Sequence, residues 1–124
     1  MTFGDRTRDR DCPYPLIMGK VLGIVYRTLA THITNKAGYN KQTAHTGAVT
    51  LIQRFGSALN LNIHFHMLFL DGVYAEDDYG KTRFHRIKSP NKSELTVLAH
   101  RISQRVANFL EREGLLVSDA DNSN

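Results

Sequence analysis

From Pro15 the chain leaves a run of alternating charges and takes up helical periodicity. Leu16, Leu22, Val25, Leu29 and Ile33 recur at helical spacing, with Tyr26 beside them. That predicts an amphipathic helix over about residues 15–36. Pro15 suits a first turn, and Lys36 followed by Gly38 suits a last one. Gly19 and Gly23 lower the helix propensity, and their four-residue spacing leaves a thin face for close packing. A second helix is predicted after the Ser89-Pro90 break. Asn91 and Glu94 stand as an N-cap and its box partner. Leu95, Leu98, Ile102, Val106 and Phe109 then follow at steps of three and four up to Gly114. Such a stripe belongs to a core rather than to a ligand groove.

Between the helices the pattern suits strands. "GAVTLIQRF", residues 47–55, is β-branched and apolar. "GSALNLN" follows as a loop. "IHFHMLFLDGVYA", residues 63–75, has the length of one long strand, with Gly72 as a place for a bulge. "EDDYG" ends on a glycine able to take positive φ, and so forms a turn. "KTRFHRIK", residues 81–88, is a third strand and a basic one. The order is helix, three antiparallel strands, helix. The expected fold class is α+β: an antiparallel sheet of about three strands flanked by two helices that cover one face. A ferredoxin-like, RRM-like palm needs one more strand at each end, so the pattern fits a partial palm. The expected organisation is a disordered lead-in over 1–14, one domain over 15–116 and a flexible tail over 117–124.

Composition adds bounds. The chain has 124 residues, 41% hydrophobic and 23% charged, with a net charge of +4. That is ordinary for one small domain, and mildly basic. It permits a polyanionic partner without requiring one. Cys12 is the single cysteine, which excludes an internal disulfide and a cysteine-rich zinc cluster and suits a reducing compartment. No uninterrupted apolar run reaches the roughly 18 residues of a membrane helix, so no membrane partner is expected. "MTFGDRTRDRDC" has no apolar segment of the kind a signal peptide needs.

The chemistry concentrates in "NIHFHMLFLDG", residues 62–72. On a strand, Ile63, Phe65, Met67 and Phe69 share one face, and His64 and His66 share the other, followed by Leu68 and Leu70. Residues two apart on one face sit about 7 Å apart at their bases, close enough for both rings to converge on one ion at about 2.0–2.1 Å. The same pair on a half-exposed sheet face needs no ligand. Two neutral imidazoles hold a hard cation poorly, so an oxygen donor is required. Gln53 is the first candidate: in a hairpin where Phe55 opposes His64, Gln53 opposes His66 and shares its face. Gln53 also alternates with Val49, Leu51 and Phe55, and a one-residue slip would place it on the core side. Burying an amide there would be costly. Asp71 is a second oxygen candidate, although parity sets it on the other face.

The block "HTGAVTLIQRFGSALNLNIHFHMLFLDGVYAEDDYG", residues 45–80, resembles transposases of rolling-circle insertion sequences, the ISCR-type branch of the two-tyrosine HUH endonucleases. "IMGKVLGIVYRTLATHITNKAGY" and "FLEREGLLVSDADNS" extend the likeness to about residues 15–123. The His-hydrophobe-His motif of that family falls on His64, Phe65 and His66. The resemblance implies a divalent ion, Mg²⁺ or Mn²⁺, on His64 and His66 with a third polar ligand. It implies single-stranded DNA as partner and a bacterial cytoplasmic setting. In the family a tyrosine attacks the polarised phosphate, nicking and rejoining DNA through a 5′-phosphotyrosine. Related transposases carry histidine where Gln53 stands. The family's nucleophile lies on a helix well downstream of the motif, and no tyrosine follows Tyr79 here. No catalytic nucleophile is therefore assigned, and the expectation is a truncated piece of a transposase.

Lys81, Arg83, Arg86, Lys88 and Lys92 make a basic run without an acid. Together with Arg54, four of them (Lys81, Arg83, Arg86 and Lys88) are the candidate DNA-binding residues. A charged edge strand that resists aggregation would look the same. His32, His45 and His100 carry no motif. Two other readings compete. A noncatalytic RRM-like nucleic-acid module would bind without metal, although few aromatics are expected on the exposed face. A cupin-type metal enzyme would need many short strands and a glutamate soon after the histidine pair.

Overall fold

The computed structural model describes residues 14–55 and 62–116. The elements are α1 (Tyr14–Lys36), β1 (Ala44–His45), β2 (Ala48–Phe55), β3 (Asn62–Phe69), β4 (Gly72–Glu76), β5 (Thr82–Arg86) and α2 (Lys92–Arg112). The class is α+β, with antiparallel pairing throughout. Of the expected lead-in over 1–14, residues 1–13 lie outside the described residues and Tyr14 opens α1; the expected tail over 117–124 lies outside them as well. The chain divides into two compact units, residues 1–28 with 91–124, and residues 29–90.

In the first unit, α2 begins where its sequence signal places it. The Asn91 side-chain oxygen accepts the Glu94 N–H at 2.8 Å, satisfying one of the donors a helix start leaves orphaned. The helix stops at Gly114, whose φ of +73° lets the chain turn back. Leu98 and Phe109 are buried on its apolar face. Against this face stands Thr28 of α1, 1% exposed. Its hydroxyl donates to the Ile24 carbonyl at 2.8 Å and accepts from Arg105 Nη1 at 2.9 Å. A buried hydroxyl thus keeps both kinds of partner. The Lys20 ammonium lies 5.9 Å from the centre of the Phe109 ring, within cation–π range.

The expectation that no segment suits a membrane needs one correction. By length and composition alone, Leu16–Lys36, a helix of 21 residues that contains an 18-residue stretch of mean hydropathy 1.2, is long and apolar enough to cross a bilayer. Lys20 and Arg27 interrupt that stretch, which stays apolar on average.

In the second unit, Ile33 near the end of α1 packs with Ala44, Val73 and Ala75, joined by Ala37, Tyr39, Phe69 and Ile87. Asn40 organises the turn that leads out of the helix. Its side-chain oxygen accepts the N–H groups of Gln42 and Thr43. Beyond it lie two sheets, one ordered β1–β4–β5 and the other the β2–β3 hairpin.

This arrangement corrects the expected single three-stranded sheet. The long strand over 63–75 is two strands, because its partners change at Leu70–Asp71. Leu70 N–H bonds to Gly47 O at 3.0 Å and closes the hairpin ladder. Asp71 O then accepts the Ile87 N–H at 2.8 Å and opens the other ladder. Gly72 follows at once, and β5 passes so close that a Cβ there would overlap the His85 carbonyl oxygen. No side chain fits. The hairpin's apolar face is also less sealed than expected: Ile52 and Phe65, paired directly across it, are both exposed.

Candidate functional site

The β2–β3 ladder pairs Gln53 with His64 and Leu51 with His66. The expected register paired Gln53 with His66, so the observed one is shifted by two residues. Ladder pairing runs on to Phe55 and Asn62, and residues 56–61 between them lie outside the described residues. A shift of two preserves parity, so Gln53 still shares a face with both histidines. All three side chains are exposed. Gln53 reaches diagonally across the ladder, its Oε1 lying 3.1 Å from His66 Nε2. With a carbonyl oxygen as acceptor, that nitrogen carries the proton. A cation on His66 would therefore use Nδ1, or would part the pair and use both Gln53 Oε1 and Nε2.

Two imidazoles and an amide oxygen on one open face are a donor set that fits a borderline divalent ion better than a hard one. Among the described residues no cluster of three or more His, Cys, Asp and Glu side chains forms. The Gln53 amide adds an oxygen donor to this pair. Asp71, the other oxygen candidate, is held elsewhere, 2.8 Å from Arg86 Nε.

The expected basic strip is divided. The run looked free of acids, but the fold brings acids to it from neighbouring segments. Arg83 Nε lies 2.8 Å from Asp77 Oδ2, and Arg86 is paired with Asp71. On β5, Arg83 stands opposite Ala75 and Arg86 opposite Gly72, positions of different parity and so on opposite faces. Lys81 gives its backbone N–H to Asp77 Oδ1 at 2.9 Å. That bond, the Arg83 side chain and the Tyr79 N–H hold the Asp77 carboxyl below the usual carboxylate range, with slight burial opposing them. Lys88 is exposed beyond the strand end. The Arg54 backbone pairs with Ile63, and its side chain lies outside the described residues.

One feature escaped the sequence reading. Tyr74 on β4 is opposite His45 on one side and Phe84 on the other. The Tyr74 and Phe84 rings lie 5.0 Å apart, tilted by 52°. Both are exposed, while Val73 and Ala75 on either side of Tyr74 are buried. The signal was the alternation in "GVYAE". Treating residues 63–75 as one continuous strand hid it.

No curated protein matches the chain, and no solved structure does. A sequence model for one family, Y2_Tnp, described as "Putative transposase", matches residues 47–124, well over half of the chain. The match begins just before the first strand of the histidine hairpin and runs through β4, β5 and α2, leaving out α1 and β1. That match points to a role in DNA transposition, and the chain belongs to the Y2_Tnp transposase family.

Proposed function

We propose that the β2–β3 hairpin is the metal-binding element of an HUH-type transposase module, with His64, His66 and Gln53 as ligands and single-stranded DNA as substrate. The observation that carries this reading is the Gln53–His66 contact at 3.1 Å on the face shared with His64. It supplies the oxygen donor that two imidazoles need, and it does so on an exposed surface that a phosphodiester can reach. Mg²⁺ or Mn²⁺ would supply Lewis-acid stabilisation of charge developing on the phosphoryl oxygens. Nitrogen-rich ligation favours Mn²⁺ of the two. The histidines hold the site on a paired strand, where backbone hydrogen bonds fix their separation. Gln53 orients the His66 ring. The transposition reaction itself, nicking and rejoining through a phosphotyrosine, further requires a positioned tyrosine hydroxyl.

The test is Mn²⁺ titration of the full chain, followed by line broadening of the histidine ring resonances. His64 and His66 are expected to broaden first among the six histidines. The double variant His64→Ala/His66→Ala is expected to lose the binding event, and Gln53→Ala to weaken it by about tenfold. Broadening spread evenly over all histidines, or binding unchanged in the double variant, would overturn the reading.

A further inference from the structure

We infer that the outer face of the β1–β4–β5 sheet is a stacking platform for unpaired bases of single-stranded DNA, separate from the histidine pair. The inference rests on the DNA partner proposed above and assigns that partner a second site.

His45, Tyr74 and Phe84 form one row across three adjacent strands. Directly paired residues share a face, so the three rings lie side by side. Tyr74 is 47% and Phe84 40% exposed. Aromatic side chains left in water on a sheet carry a large desolvation gain for whatever flat partner covers them. Their opposite face is anchored, since Val73 and Ala75 are buried in the core with Ile33 and Ala44. The platform is therefore rigid, and little ordering is lost when a base lands on it.

Charge selects the occupant. Arg86, opposite Gly72, lies at one end of the same face, and Glu76, opposite Thr82, lies at the other. A cleft beside Tyr74 is lined by Gln42, Thr43, His45, Glu76 and Thr82. A nucleotide has the matching polarity. Its phosphate suits the Arg86 end, and the donors and acceptors of a base edge suit the amide, hydroxyls and carboxylate of the cleft. Asp71 engages Arg86 through Nε, and a guanidinium has four further N–H donors to offer a phosphate. Base pairing would hide both the stacking faces and the edges, so the site reads single strands.

The experiment measures binding of a fluorescein-labelled, mixed-sequence single-stranded 12-mer to the full chain by anisotropy, in EDTA so that no metal contributes. Tyr74→Ala and Phe84→Ala are each expected to weaken binding by about tenfold. Tyr74→Phe, which keeps the flat ring, is expected to bind like the parent. An abasic strand of equal length is expected to bind the parent and both alanine variants alike. Should an alanine variant fail to fold, Tyr74→Leu gives the same reading, with similar apolar area and no planar face. Alanine variants that lose thermal stability but keep full affinity would show a cross-strand structural pair and overturn the proposal. So would an equal loss on the abasic strand, or a parent that binds no single strand in EDTA. Tyr74→Ala is expected to keep the Mn²⁺ broadening of His64 and His66 while losing strand affinity in EDTA, so failure of the platform and failure of the metal site are told apart.

Discussion

Gly72 shows how a single residue sets where the sheets part. The chain must turn from β3 into β4 while β5 closes on it, and the position of a Cβ at residue 72 is already taken by the His85 carbonyl, with Phe84 Cζ at 2.8 Å. Backbone cannot swing aside as a side-chain tip can. Gly72→Ala is expected to destabilise the fold by about 1–3 kcal/mol, as overpacking does, read as a lower midpoint in urea unfolding of the full chain. The sequence marked this glycine as a bulge position, but the reason for it lies on β5, ten or more residues away. The histidine pair was legible for the opposite reason: facing in a strand is a local property of period two. The hydrogen bond from His66 to Gln53 was half legible. Parity could be argued from the cost of burying an amide, but the register depended on how far the ladder continues toward the turn.

At the scale of elements, the helices were the easiest to read, because their signals are contiguous. The Asn91 cap is formed by groups three residues apart. Asn91→Ala is expected to cost about 1 kcal/mol, visible as a drop in melting temperature with α2 amide exchange accelerated at its first turn. The β4–β5 turn is similarly local. Asp77 accepts from the Tyr79 and Lys81 N–H groups and pairs with Arg83, while Gly80 takes a φ of +75°. The sign of its pH dependence follows from these partners. The folded-state carboxyl is held below its unfolded value, so the ionised form favours the turn at all pH values above the ordinary carboxylate range. That contribution is lost only as pH falls through the depressed value. Amide shifts of Tyr79 and Lys81 are expected to titrate together at this lower pH, and Asp77→Asn is expected to abolish the transition. The strands were harder to read. Residues 63–75 have continuous strand character, and nothing within them says that the partner changes at Leu70–Asp71. That information sits in Gly47 and Ile87, whose backbone groups take up Leu70 and Asp71.

At the scale of the whole molecule, the question is whether the chain carries its own nucleophile. Family membership points to transposition, and the proposed metal site would polarise a phosphodiester, yet the covalent cleavage proposed above would also need a tyrosine hydroxyl held in line with it. Tyr39 is partly buried, with its hydroxyl 3.3 Å from His85 Nε2. Tyr74 lies beside Phe84 on the outer sheet face. Tyr79 is 94% exposed at a turn, where its backbone N–H is bonded but the ring is in open solvent. None of these three combines exposure with a fixed hydroxyl, the remaining two, Tyr14 and Tyr26, lie on α1 outside the unit that carries the histidine motif, and fixing the attacking atom is where most of the rate advantage of an oriented nucleophile arises. The full chain incubated with Mn²⁺ and a labelled single strand is therefore expected to bind without forming an adduct that survives denaturing electrophoresis. An adduct that does survive, and that disappears in Tyr79→Phe or Tyr74→Phe, would show that a turn or a sheet can position the attacking hydroxyl. Binding with no adduct would mean that metal and strand recognition reside in this chain and that the cutting tyrosine must come from elsewhere.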